Sequence, residues 1–315
     1  MLLAQPGYQK LISINDNPIF LQGSFDGFPR QEVKPEPFVQ GGPRTGIYSI
    51  NEKVVKGSLI TPMYMNSNGR IDEAIKELLR CAEYPLRNMT IKTNYVLGTS
   101  SITEFQSGVP DNKRGFGKYV RMAFVDCGIT DLSIKVEHKS AVIIRADFIG
   151  LVSANESSVV PNVESSGMMR RNLTFPDCDL FLTTPESHWD TTRSFEINIK
   201  NDLRPFIAVR SQISTTDQPD GIAMNTSEIW GKIEQSVDRD NIFGEIDSLI
   251  SGGYAGQKMI FDFGGAVKIE FPHCTMEPTE QPIEGTTLLK RTTKVLCVFG
   301  SSKLNDTEGH LITFI

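Results

Sequence analysis

Two short stretches decide how this chain is read: LSIKVE at residues 132–137 and FEINIK at residues 195–200. In the first, Leu132, Ile134 and Val136 alternate with Ser133, Lys135 and Glu137. In the second, Phe195, Ile197 and Ile199 alternate with Glu196, Asn198 and Lys200. A period of two puts the apolar side chains on one face of a β-strand and the polar ones on the other. Most of the remaining chain has this texture, interrupted by two segments of helical period. The expected class is mainly β: two tandem antiparallel β-sandwich or half-barrel domains, each with one packed α-helix.

Working outward, the chain reads as written twice. GIYSINEKVVKG (46–57) resembles GIAMNTSEIWG (221–231), with an offset of 175 at the start and 174 at the closing glycine. A helical stripe follows each. Ile71, Ile75, Leu78 and Leu79 reappear as Ile242, Ile246, Leu249 and Ile250, all shifted by 171. The spacing i, i+4, i+7, i+8 lays each set on one helical face. Asn68 is the expected cap of the first helix, with Asp72 and Glu73 in its opening turn and Pro85 as its stop. Asp240 opens the second, and Gly252 with Gly253 closes it. Upstream, ISINDNPIF (12–20) is matched more loosely with INIKNDLRPF (197–206), a strand running into an Asn/Asp turn and a proline. The expected division is one domain over residues 1–150, a serine-rich linker over 151–175 and a second domain over 176–315.

The chain has 315 residues, 39% hydrophobic and 22% charged, enough for two ordinary domains that need neither staples nor metals. Its five cysteines stand apart with no CxxC pair, which argues against a disulfide framework or zinc site and for a reducing compartment. A formal charge of −6 argues against gripping nucleic acid through its phosphates. The start lacks a basic, then apolar, leader, and no run approaches the ~20 apolar residues of a membrane span, so no membrane association is expected.

Catalytic signatures are hard to find. The four histidines, His138, His188, His273 and His310, sit in no recognisable frame. His273 and Cys274 are adjacent on a strand and so point to opposite faces. GGYAGQ (252–257) follows a helix, whereas a phosphate cradle precedes one. RGFGKY (114–119) reads as the end of a long loop. The expectation is a non-enzyme with no cofactor, no metal and no catalytic residue.

SFEINIKNDLRPF (194–206) followed by PDGIAMNTSEIWGKIE (219–234) resembles the tail tube proteins of long-tailed bacteriophages. There a strand ending in Asn-Asn/Asp-Leu leads through a loop to a strand with spaced glycines. VVKGSLITPMY, GRIDEAIKELLRCAEY and the pair of strands from Tyr119 to Leu151 supply the first-copy counterparts, and GHLITFI is similar to how such proteins finish. The chain is about twice the size of the simplest members. The resemblance implies a virion protein, assembled in the host cytoplasm, whose rings of three or six chains stack into a hollow tail tube. Double-stranded DNA passes through that tube without specific binding. Partners would be other copies, tail proteins at the tube ends, and a sheath or tape measure protein. It makes Glu137 and Glu196 candidates to line the lumen, and Gln106, Pro110, Asp111, Lys113 and Arg114 candidates for a ring-stacking loop. The other readings are a different ring-forming tail component (distal tail, baseplate or terminator) and a β-sandwich binding module.

Overall fold

The structure, a computed structural model, describes residues 11–15, 17–19, 26–36, 47–87, 89–97, 118–152, 171–183, 186–188, 192–206, 220–237, 257–278, 289–297 and 311–315. The first half contributes β1 (Leu11–Ile14), β2 (Asn17–Ile19), β3 (Asp26–Glu36), β4 (Ile47–Pro62), β5 (Tyr64–Met65), α1 (Glu73–Glu83), β6 (Met89–Leu97), β7 (Lys118–Glu137) and β8 (Ile143–Val152). The second contributes β9 (Arg171–Asn172), β10 (Cys178–Thr183), β11 (Glu186–His188), β12 (Thr192–Phe206), β13 (Gly221–Val237), β14 (Gln257–Phe263), β15 (Val267–Pro278), β16 (Leu289–Cys297) and β17 (Ile312–Phe314). The protein is mainly β, and fifteen of these strands join one antiparallel sheet; β5 and β9 pair separately.

Both halves run through one strand order. The first lies as β3-β4-β8-β7-β6-β1-β2 and the second as β12-β13-β16-β15-β14-β10-β11. Register agrees as well. Adding 170 to each β3 number and 174 to each β4 number turns every β3–β4 partner pair into a β12–β13 pair, including the bulge at Gln31/Val33, which becomes Asn201/Leu203. Gly57 faces Gly27 and Phe148, and Gly231 faces Ile197 and Val295.

This register corrects two alignments. The offset is 174 from the beginning, so Ile47 corresponds to Gly221 and no residue is deleted between the copies. The segment 12–20 is not the counterpart of 197–206: it forms the β1–β2 hairpin, whose place in the second half is taken by β10–β11. The counterpart of β12 is β3, where Arg30-Gln31-Glu32-Val33-Lys34-Pro35 stands against Lys200-Asn201-Asp202-Leu203-Arg204-Pro205. All six positions keep their chemistry.

The halves meet where residues 131–137 of β7 pair with residues 194–200 of β12. Leu132, Ile134, Val136, Phe195, Ile197 and Ile199 are all buried there, and one hydrophobic cluster runs through both halves. Helix α1 packs on this apolar side with Ile75, Leu78 and Leu79 fully buried. Its cap is Asp72, whose carboxylate accepts from the Ala74 N–H at 3.1 Å. Asn68, the expected cap, belongs to the preceding turn, in which the Asn66 side chain accepts from the N–H groups of Asn68 and Arg70. That turn delays the helix, and Ile71 becomes a β-bridge partner of Met65, still buried. At the far end Tyr84 leaves helical geometry ahead of Pro85, as a residue before proline tends to.

The second expected helix, with Leu249, lies outside the described residues. In the first, Leu78→Ala removes a fully buried side chain beneath the sheet, and chemical denaturation should show a loss of about 2 to 5 kcal/mol. A loss under about 1 kcal/mol would mean that the helix contributes little to the fold.

Candidate functional site

The alternation that buries one face of the central strands turns the other outward. Eight strands, β3-β4-β8-β7-β12-β13-β16-β15, follow one another through the sheet, and partner registers connect their outward side chains into rows. Lys135, Glu196, Lys232, Lys294 and Glu277 succeed each other across β7, β12, β13, β16 and β15. Two rows over, beyond the row of Ser133, Asn198 and Trp230, Asp147, Asp131, Lys200 and Glu228 do so across β8, β7, β12 and β13. Both expected lumen candidates belong to this surface. Glu196 stands between Lys135 and Lys232, and the half-exposed Glu137 accepts an ion pair from Lys135 at 2.6 Å.

The face is therefore of mixed sign. Opposite charges directly across strands stabilise the sheet modestly, and interleaving leaves no large field of one sign. The ammonium of Lys294 also lies 5.9 Å from the centre of the Trp230 ring, a cation–π contact on the same surface. The hydrogen bond to Glu137 raises the Lys135 ammonium above its ordinary value.

One row contains a conflict. Asp131 and Asp147 are direct partners, so two carboxylates share a site with Lys200 on the far side. Burial above all, and then the neighbouring Asp147, push the Asp131 carboxyl up from its ordinary value, against the pull of Lys200 and Arg145.

At the end of the β7–β12 ladder, Asn201 ties the halves together. It is buried, its side-chain N–H groups donate to the carbonyls of Ala82 at the end of α1 and Ile129 in β7, both at 3.0 Å, and its carbonyl accepts from the Ser227 hydroxyl at 2.7 Å. Beside it the Asp202 carboxylate takes both Arg204 (3.0 and 3.2 Å) and the Asn225 amide (3.1 Å). The arginine first, and then Asn225, hold the Asp202 carboxyl below its usual range. The Asn201-Asp202 step, expected as a turn, lies inside β12 as a bulge, and the matching chemistry of Gln31 and Glu32 was the signal for its role.

The remaining candidates make no reactive cluster. All five cysteines are free, and burial pushes Cys81, Cys127, Cys178 and Cys297 up to about 12 and Cys274 to about 11. His273 is exposed and its neighbour Cys274 buried, on opposite faces as expected. Among the described residues no group of three or more His, Cys, Asp or Glu side chains is placed to hold a metal, and no helix is long and apolar enough to cross a membrane. The loop residues Gln106, Pro110, Asp111, Lys113 and Arg114 lie outside the described residues. Against known proteins, the chain matches no family and no curated sequence.

The raised Asp131 carboxyl sets a pH dependence. An acid whose folded pKa exceeds its unfolded value weakens the fold wherever it is ionised, and costs nothing at a pH where both states are protonated. Asp131→Asn should accordingly raise the melting temperature at pH 7, with the gain shrinking as pH falls through the raised folded pKa and gone below the unfolded carboxylate value of about 3.9. A lower melting temperature at pH 7 would show that the contact with Lys200 outweighs burial and Asp147.

Proposed function

We propose that this protein is a structural subunit that closes into rings and stacks them into a hollow tube, as the tail tube of a bacteriophage does. The supporting observation is the eight-strand sheet itself. It consists of two four-strand units of one topology, joined edge to edge, with an apolar face carrying the core and a polar face of mixed sign on the other side. Such a sheet repeats naturally into a barrel, and closing it removes the strand edges that invite aggregation. The polar face is then the lumen. Its alternating charges give the phosphates of passing DNA no basic track to bind, and Glu137 and Glu196 belong to that lining.

Dimensions favour three chains per ring over six. With strands ~4.8 Å apart and tilted by ~40°, eight strands cover roughly 50 Å of circumference, so three chains make a barrel about 48 Å across at the backbone and six about 96 Å. The smaller barrel, once lined by side chains, suits a single DNA duplex; the larger would leave it loosely held. The loop with Gln106, Pro110, Asp111, Lys113 and Arg114 is the proposed contact between stacked rings, and a sheath, a tape measure protein and terminal tail proteins are the proposed further partners.

Electron microscopy of concentrated protein in negative stain tests this reading. Long hollow tubes of uniform width are the expected outcome. Isolated rings that never stack would transfer the proposal to a distal tail, baseplate or terminator component, and particles without a channel would overturn it.

A further inference from the structure

The geometry points to a specific seam between copies: the outer edge of β3 at Pro29 and Arg30 in one chain receives the end of β15, Glu277 and Pro278, of a second chain, as β12 receives β7 within a chain. The counterparts of 133–137, residues 279–283, lie outside the described residues. The inference rests on the ring reading for the closed assembly but names contacts of its own. Among the described residues β3 pairs only with β4, which leaves its other edge open. By register β3 is the counterpart of β12, and β15 that of β7. The β4–β8 pairs map onto β13–β16 when 147 is added to β8 numbers, which equates Ala146 with Thr293. Their partners Leu132 and Pro278 then correspond, as do Asp131 and Glu277.

The internal seam supplies the template. Within it Lys200 faces Asp131. The same positions at the seam between copies hold Arg30 on β3 and Glu277 on β15, again a base opposite an acid. Gln31 occupies the position of Asn201, the residue that ties β12 to the end of α1 and to β7. Glu32, Lys34 and Asn51 occupy those of Asp202, Arg204 and Asn225. The residue types of the docking apparatus thus appear twice in equivalent register positions. A second copy of this chain is the occupant that completes the set on β3.

The two seams differ in three respects: Thr275 stands where β7 has Gly128, β15 lacks the extra residue that β7 carries between Ile129 and Asp131, and one bonded pair is lost. The His138 N–H donates to the Arg193 carbonyl, and in an antiparallel ladder such bonded pairs alternate, which makes Leu132 and Ile199 a bonded pair. Their counterparts are Pro278 and Pro29, which have no N–H. The seam between copies lacks both bonds of that pair. Prolines with the missing donor toward an open edge also keep lone chains from pairing at random. Rings therefore open between chains and not between halves.

Disulfide trapping reads the seam directly. Lys200 and Asp131 form a non-bonded pair, the closer kind of cross-strand position and within the Cα range of a disulfide, so Arg30→Cys and Glu277→Cys mark equivalent sites. The two single variants are mixed, concentrated and oxidised, with the parent chain and its five native thiols, of which Cys178 and Cys297 are partly exposed, as control. The expected result is a covalent dimer containing one chain of each variant, absent from the parent and from either variant alone. A dimer from Arg30→Cys alone would mean that β3 pairs with another β3, and no dimer in assembled material would mean that the seam lies elsewhere; either overturns the inference. Tubes that form without the mixed dimer would overturn the seam and leave the tube reading intact, whereas mixed dimers in material that never forms channels would uphold the seam and refute the tube.

Discussion

The ladder between β7 and β12 is the interaction on which the rest of the architecture depends. Seven consecutive partner pairs join strands from opposite halves of the chain, and without them there would be two separate sheets with two unpaired edges. With them, six apolar side chains from the two halves lie side by side beneath one surface, and α1 of the first half reaches the second. Close approach at its end is enforced by size: a Cβ on Gly128 would come within 2.5 Å of Leu203 and 3.0 Å of the Pro85 carbonyl. Asn201 closes the same corner, and its removal would strand two buried carbonyls, an expensive loss in an interior.

The two faces of the sheet then divide the work. The apolar face, covered by α1 and by the outer hairpins, carries the stability. Glu77 on that helix is nearly buried but answered by Arg80, Arg87 and Asn15, so its charge does not oppose the packing. The C-terminal strand β17 is fastened to the same helix, with the Glu83 carboxylate accepting from the N–H groups of Leu311 and Ile312. The polar face is organised by cross-strand charge pairs, each worth a fraction of a kcal/mol. Their arrangement matters more as a surface property than as a source of stability.

Much of this was legible in the sequence, because alternation is a local property: residues 132–137 and 195–200 bury every apolar side chain that the period of two requires, and the exception is Asn198, a polar-face position that is buried as well. The repeat was legible too, but its register was misread upstream. An Asn/Asp step before a proline occurs in both 12–20 and 197–206, but only the first makes a turn; the second is a bulge inside β12, and the shared spelling masked the stronger match of residues 30–35 with 200–205. The cap of α1 was misplaced because Asn66 builds a competing turn that no helical period reveals. The pairing of β7 with β12 has no signature in either strand alone, since it joins elements far apart in the chain. The mixed sign of the polar face was legible in Lys135, Glu137, Glu196 and Lys200; which charges stand opposite one another follows from the pairing and was hidden with it.

The central claim is that the outward face of this sheet encloses a channel, and a cryo-electron microscopy reconstruction of the assembled protein measures it most directly. The account predicts a hollow cylinder whose wall crosses eight strands per chain, with Glu196 and Lys232 turned toward the open centre. A map in which those residues lie on the outer surface, or against a neighbouring chain, would contradict it.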